Sequence, residues 1–431
     1  MTKSKLMVFC LDALCSSDVE YMKTLPNFKI LFEDGSYVKR LETVYPSLTY
    51  PCHVSILTGN YVDKHGIPHN EKVKAGQYSV PWYSMRSDIK CKTLMDYAKE
   101  NDLYTCSLSW PVSGGANIDL NMPMIIPIGY TGNDPLQFLT DTSSKELIDR
   151  YYWKHGIHMK GTNRSLDLYT MALAPDIIRD YNQPDVMLVK MCDLDSVRHG
   201  YGLHNEHTLE QLRRHDEEFG ILLESVRRYG DFENTNFVVL GDHGQSDVDH
   251  VFNFNIYLKQ KGYIQTTEEG ELIDYRVYCH SAGLCAWIEL KDPSDVALRE
   301  EIHQMLMELK EDPESMIGYV FTKEEAKEQY KLSGPFDFVI EGKDNISFGN
   351  TLKGNDLHVP TIVGDYKFSK ASHGHLPHKE EQTTFIAFGP SIKKGVVVEV
   401  AQMVDEAPTM ARMLGFEMED VDGRVLEEIL I

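Results

Sequence analysis

The feature that most constrains this chain is an alternation along its length. Short, apolar, β-rich runs at 5–11, 103–108, 186–191, 237–240 and 384–388 are separated by helix-like stretches at 18–32, 93–99, 166–181, 206–228 and 401–414. Near-continuous apolar runs of that length fit strands buried on both faces, and such strands need helices to cover each face. The pattern predicts an α/β fold with a largely parallel central sheet and helices on both faces. Two segments break it. One, at 111–158, carries Gly114-Gly115, several prolines and many aromatics; the other, at 262–370, carries an acidic helical stretch at 295–311 and a Gly/Asp/Asn-rich run at 342–354. Both read as insertions over the active-site edge of a single 1–431 domain, together forming a substrate cap.

Composition narrows the function classes. The chain has 43 Lys+Arg against 66 Asp+Glu, a formal charge of -23, and a polynucleotide partner is not expected because phosphate-backbone binding needs a basic footprint. Eight cysteines without paired spacing fit reduced thiols in a reducing compartment. Lys3 and Lys5 precede a short apolar run, but Asp12 ends it too early for a signal peptide, and no small-residue cleavage site follows. No stretch reaches the roughly 18 apolar residues of a membrane span. The expectation is a cytoplasmic protein with no membrane partner, and its oligomeric state is not legible.

The strand ends carry the chemistry. The run 5–11 ends in Asp12, the run 186–191 leads into Asp193 and Asp195, and the run 237–240 leads into Gly241-Asp242-His243-Gly244. Ligand sites of open α/β sheets form at the carboxyl ends of strands. A single Asp there is commonly a helix cap or turn residue; three strands delivering Asp or Asp-His to one edge suit a metal-binding cleft. Asp195 and His199, four residues apart, face the same way on a helical turn. Ser372-His373-Gly374-His375 offers a further imidazole before the last core strand. Mixed Asp/His ligation suits Zn²⁺, with Mn²⁺ or Fe also compatible.

The segment 45–59 supplies a hydroxyl. Thr49-Tyr50-Pro51 opens an apolar helix, placing Thr49 at or near its N-cap, where the helix dipole favours an anion. Capping alone accounts for a lone threonine. Beside a metal ion its hydroxyl becomes a nucleophile.

With these motifs in hand, the chain resembles the alkaline phosphatase superfamily, in particular its type I phosphodiesterase/nucleotide pyrophosphatase branch. The motifs are Leu11-Asp12, Thr49 through His53 with Thr58-Gly59-Asn60-Tyr61 and His65-Gly66-Ile67, Asp195 to His199, Asp242-His243-Gly244, and His373-Gly374. The resemblance implies an alkaline phosphatase-like core and two divalent transition-metal ions. Asp12, Thr49, Asp242 and His243 would hold one, and Asp195, His199 and His373 the other. It further implies attack by Thr49 on phosphorus through a phosphothreonine intermediate, with small phosphate esters, nucleotides or phosphonates as substrates. His53 and His65 would orient the nucleophile segment, and His250, His375 and His378 would be bystanders.

On the substrate side, the resemblance makes Asn70 the amide that holds the phosphoryl group and Tyr50 an aromatic wall. Cys52 stands where Asn is common, and a thiol is a weak donor. Lys190 stands where Tyr is common and would favour an extra anionic group on the substrate. Trp110 would line the same pocket or pack within its insertion. A phosphodiesterase/nucleotide pyrophosphatase leads. A phosphonate hydrolase, kept open by Lys190, and a phosphomonoesterase, which needs a cationic clamp, use the same metals. A sulfatase lacks its Cys or Ser nucleophile, and a catalytically dead metal-stabilised binding protein would not keep every ligand.

Overall fold

The computed structural model describes residues 4–361, 365–379 and 381–431. Lys3 of the N-terminal basic pair and residues 362–364 of the second insertion lie outside them. Six strands come first: β1 (Lys5–Leu11), β2 (Gly35–Glu42), β3 (Thr105–Trp110), β4 (Leu120–Pro123), β5 (Val186–Met191) and β6 (Thr235–Leu240). They are followed by β7 (Val277–Ser281), β8 (Cys285–Leu290), β9 (Ile317–Thr322), β10 (Phe338–Gly342), β11 (Thr383–Phe388) and β12 (Val397–Gln402). The helices that matter for the site are α1 (Thr49–Thr58), α2 (Asn163–Asp180), α3 (Asp193–Tyr201), α4 (Glu206–Tyr229) and α5 (Glu406–Met413).

The central sheet has the order β12-β2-β11-β6-β1-β5-β3-β4. Strands β6, β1, β5, β3 and β4 run parallel, whereas β11 is antiparallel to both β6 and β2. Alternate residues of β1 feed the two covered faces. Leu6, Val8 and Cys10 join a core that includes Cys52 and Ile56 of α1 and Met410 of α5. Met7, Phe9 and Leu11 join the other core, where Phe9 stacks on Phe219 of α4 with ring centroids 5.7 Å apart. The doubly covered parallel sheet read from the apolar runs is therefore present.

Register decides where the chemistry lies. Leu11 pairs with Met191 and Cys10 with Leu240, so β1, β5 and β6 end together and release Asp12, the start of α3 and Asp242-His243 at one edge. The second insertion folds around its own sheet, in the order β7-β8-β10-β9, with a core that includes Ile288, Ile302 and Phe338. The first insertion adds β4 to the end of the main sheet.

Two expected helices differ. Only Val19–Met22 and Lys29–Glu33 are α-helical within 18–32, because Pro26 lacks an amide and disfavours helix before it. The stretch 401–414 begins as the end of β12, paired with Leu41 and Glu42, and its helix starts at Glu406. The β-branched run Val396-Val397-Val398 and the open edge of β2 account for that. Strands β2, β4 and β12 escape the apolar-run criterion since they lie toward the sheet's edges and carry polar or charged residues such as Lys39, Arg40, Asn121 and Glu399.

Candidate metal and catalytic site

Each ligand side chain is aimed by backbone geometry. At the end of β6, Asp242 Oδ1 accepts the amides of Ala13 (2.9 Å) and His243 (3.0 Å), which turns Oδ2 the other way. His243 donates from Nδ1 to the Gly244 carbonyl (3.1 Å), so Nε2 keeps a free lone pair. Gly244 is required there: a Cβ would lie 1.8 Å from the Glu381 carbonyl oxygen. After β5, the amides of Cys192 and Asp193 donate to Asp167 at 2.7 and 2.9 Å, fixing the start of α3. One turn on, Asp195 and His199 face each other, with His199 Nε2 3.1 Å from Asp195 Oδ1 and its Nδ1 donating to Ala371 O (2.6 Å). His373 is carried on a loop tied down at Gly374, whose amide donates to the Ser47 carbonyl and hydroxyl, both at 3.0 Å. Gly374 has φ +101°, and a Cβ there would strike the Ala282 carbonyl.

Thr49 is the first residue of α1, with Leu48 as the extended N-cap. Its hydroxyl lies 3.2 Å from His243 Nε2, and that nitrogen is 3.5 Å from Asp12 Oδ1 and 3.3 Å from Asp242 Oδ2. Asp12, Asp242 and His243 form one group whose ligand atoms all lie within 4.8 Å of one another; Asp195, His243 and His373 form a second. His243 belongs to both, so the two groups adjoin. The second group holds His243 where the resemblance implies His199, and Asp193 and His375 are in neither. His53, whose Nδ1 donates to the Thr49 carbonyl (2.7 Å) and sits 3.2 Å from Asp242 Oδ2, and His65, which meets Ser55 Oγ at 3.0 Å, brace α1.

The electrostatics of this cluster ask for a cation. Asp12 Oδ1, Asp242 Oδ2 and His199 Nε2 are buried without a hydrogen-bond partner, an arrangement that is costly unless an ion completes it. Burial and the neighbouring Asp242 push Asp12 well above the usual carboxylate range, against the opposing pull of Lys190. Asp195 is held well below that range: burial opposes its charge, but His199 and His373 outweigh it. A carboxylate-rich, imidazole-rich pocket of this kind fits a divalent transition metal at each group.

Above the ligands lies a cavity of about 310 Å³ bordered by Asn70, Trp82, Met124, Ile126 and Tyr366. Among the described residues no Lys or Arg lines it. Asn70 Oδ1 accepts the Tyr50 amide at 2.8 Å. Tyr366 stacks on His373 with ring centroids 5.3 Å apart, and Trp82 meets Tyr366 edge-on at 6.3 Å.

Comparison with known proteins agrees with this architecture. A family model described as type I phosphodiesterase/nucleotide pyrophosphatase matches residues 6–375. The chain belongs to that family. It is a hydrolase of the phosphodiesterase/nucleotide pyrophosphatase type, within the alkaline phosphatase superfamily. Human ectonucleotide pyrophosphatase/phosphodiesterase family member 7 is 23% identical over 429 residues, covering 93% of this chain and 78% of the relative. Human member 1 is 24% identical over 255 residues, covering 55% of this chain and 23% of the relative. Murine ectonucleotide pyrophosphatase/phosphodiesterase 5, solved as an inactive variant in complex with AMP, superposes with a TM-score of 0.70 at 16% identity, covering both chains in full.

Four of the expected substrate residues of this phosphodiesterase family member lie away from the cavity. Lys190 is fully buried, and its ammonium donates to Asp12 Oδ2, so it neutralises a ligand instead of facing a substrate anion. Cys52 lies in the core under α1, in the same cluster as Leu6, Val8 and Cys10 of β1. Trp110 packs edge-on against His53 (4.9 Å) and lines a separate small cavity. Tyr50 is buried behind Trp82, 5.1 Å away, and reaches the cavity only through that ring. Asn70 alone of the five is at the cavity wall. Trp82, Tyr366 and Asn163 were not legible from sequence. They sit in loops or at a helix start without periodicity, and their nearest signals were proximity to Asn70 and His373.

Proposed function

We propose that the chain hydrolyses small phosphodiesters or nucleotide pyrophosphates, with Thr49 as the nucleophile. The carrying observation is the Thr49 hydroxyl at the N-terminus of α1, 3.2 Å from Nε2 of His243, the imidazole that both ligand groups share. Asp12, Asp242 and His243 with Thr49 would hold one divalent transition-metal ion, and Asp195, His199 and His373 a second; the ligand type suits zinc first and is compatible with Mn²⁺ or Fe. Bound there, the ions supply Lewis-acid stabilisation of the charge that develops on the entering and departing oxygens.

The protein's own groups do the rest. The Thr49 hydroxyl gives up its proton and its oxygen attacks phosphorus while the P–O bond to the leaving group breaks and the leaving oxygen takes up a proton, giving a phosphothreonine that still carries the remaining ester arm. Water then displaces Thr49 from phosphorus, and a proton from that water returns to the Thr49 oxygen. The Asn70 amide nitrogen, left free because its oxygen accepts the Tyr50 amide, steadies a non-bridging phosphoryl oxygen. The Thr49 amide in the first turn of α1 adds the positive end of the helix.

A cavity with no Lys or Arg among its described lining residues favours the single negative charge of a diester over the two of a monoester, which would want a cationic clamp. The same fact weakens the phosphonate hydrolase reading, because Lys190, its chief support, is turned to Asp12. The ring faces of Trp82 and Tyr366 suit a nucleobase, and the AMP bound to the murine neighbour supports a nucleotide as one substrate. The eight free cysteines favour a reducing compartment such as the cytoplasm. No helix of the described residues is long and apolar enough to cross a membrane.

A panel comparing initial rates on an aryl phosphodiester, an aryl phosphomonoester, a dinucleotide and a phosphonate tests the reading. Diester or dinucleotide turnover should exceed the monoester and phosphonate rates by at least about tenfold; a dominant monoester or phosphonate rate would overturn it.

A further inference from the structure

Two loops far apart in sequence wall the metal-site cavity, one carrying Asn70 and Trp82 and the other Tyr366. The first is a narrow hairpin. The Tyr83 amide donates to the Asn70 carbonyl (3.0 Å), the Lys72 amide donates to the Pro81 carbonyl (2.7 Å), and Glu71 is the antiparallel bridge partner of Trp82. His69 fixes its base: Nδ1 accepts the Glu71 amide (2.9 Å) and Nε2 donates to the Ser281 carbonyl (3.2 Å). In the second loop the Ser372 hydroxyl donates to the Tyr366 carbonyl (2.8 Å) and the Lys367 amide to Asp365 Oδ1 (2.9 Å).

One ion pair joins these loops. Lys367 Nζ donates to Glu71 Oε1 at 2.6 Å, across 296 positions of sequence. Glu71 is 8% exposed and Lys367 4%, and neither lines the cavity. Each is the next neighbour of a residue that does, Asn70 and Tyr366, and Lys367 Nζ lies 4.9 Å from the Tyr366 ring centroid. A buried ion pair gains little stability over a packed apolar pair, because removing both charges from water offsets their attraction. What it fixes is geometry, since a displaced loop leaves both charges buried and unpaired.

We infer that Glu71 and Lys367 are positioning residues: their pair sets the placement of Trp82 against Tyr366, whose rings meet edge-on at 6.3 Å, and so determines how well the cavity accepts a nucleoside arm. The inference rests on the diesterase reading with a nucleobase at those rings, and adds what holds the rings in place. Asn70 has its own ties to the Tyr50 and Tyr83 amides, so loss of the pair moves the wall for the arm more than the group that steadies phosphorus.

The test compares p-nitrophenyl thymidine 5′-phosphate with methyl p-nitrophenyl phosphate on the metal-loaded enzyme. Both release the same leaving group, so the ratio of their kcat/KM values isolates the arm, and wild type should favour the nucleotide ester. In Glu71→Gln and in Lys367→Met that ratio should fall about tenfold or more, chiefly through KM, while the methyl ester changes by less than about threefold. Each single variant leaves one buried charge unpaired and should melt earlier than wild type. The double variant Glu71→Gln/Lys367→Met buries neither charge and should regain much of the melting temperature, yet keep the low ratio. A wild-type ratio in folded single variants, or a ratio that returns with the melting temperature in the double variant, would overturn the positioning role and leave the diesterase reading standing. A ratio near one in the wild type would overturn the nucleobase reading beneath it.

Discussion

Asn70 Oδ1 accepts the backbone amide of Tyr50 at 2.8 Å, at the first turn of the helix that begins with Thr49. One side chain thus ties the loop after His65-Gly66-Ile67 to α1 and presents its NH₂ group to the cavity. Asn70→Ala should lower kcat/KM for a phosphodiester about 100- to 1000-fold, the usual effect of losing one donor to a developing oxyanion. Asn70→Asp keeps the acceptor for Tyr50 but replaces the donor with a negative charge, and should be no more active than the alanine variant. If Asn70→Asp restores activity, the side chain serves only to brace α1.

The pairing of Lys190 with Asp12 makes a different prediction. Burial alone would lower the affinity of this ammonium for its proton, but the charge of Asp12 holds it above the usual lysine range. Lys190→Met leaves Asp12 and Asp242 crowded without a compensating cation. In chelator the variant should lose about 3–5 kcal/mol of stability, the typical result of breaking a buried ion pair. Added Zn²⁺ should recover most of that loss, because the metal supplies the missing positive charge. Denaturant melts of wild type and variant, each with and without metal, check this; an equal loss in both conditions would show that Lys190 does not act through the ligand group.

How much of this was legible beforehand follows from where each residue sits. Asp12, Asp195, His199, Asp242 and His243 follow apolar runs that announce buried strands, so their position at one sheet edge could be inferred from pattern alone. Thr49 and His373 needed the family resemblance to join them. Lys190 was misread for a physical reason: its strand was correctly placed, but the partner of its ammonium lies two residues beyond Cys10, its register mate on the neighbouring strand. Pairing across strands leaves no trace in local periodicity. Trp82 and Tyr366 come from loops, where side-chain direction depends on packing and not on a repeat.

Away from the site, Glu341 on β10 provides a pH test. Its carboxyl is buried 3.6 Å from the Lys379 ammonium, and burial outweighs that cation to push it up to about 8. A raised folded-state value means that the folded chain holds a proton which the unfolded chain releases near the ordinary glutamate value of about 4.3. Its contribution to stability is therefore full below that value and declines as pH rises toward 8, by on the order of 1 kcal/mol per pH unit. Glu341→Gln should flatten this part of the stability profile between pH 5 and pH 8, measured by denaturant melts. An unchanged slope would place the titration elsewhere.

Metal content is the next expectation. Dialysis against a chelator should abolish diester hydrolysis and lower the melting temperature, since the orphaned oxygens of Asp12 and Asp242 lose the ion that completes them. Titration with Zn²⁺ followed by calorimetry should recover both with about two ions per chain. His373→Ala should reduce that stoichiometry toward one while Asp12, Asp242 and His243 still bind. Full activity in chelator would rule out the assignment of these side chains as ligands.

The most direct measurement is the chemical state of Thr49 during turnover. Metal-loaded enzyme mixed with a p-nitrophenyl phosphodiester, quenched in acid within milliseconds and mapped by mass spectrometry, should carry the phosphoryl group and its remaining ester arm on the peptide containing Thr49. Thr49→Ala should carry none and lose turnover while keeping its fold. An unmodified Thr49 peptide in an enzyme caught turning over, together with retained activity in Thr49→Ala, would contradict attack by this residue.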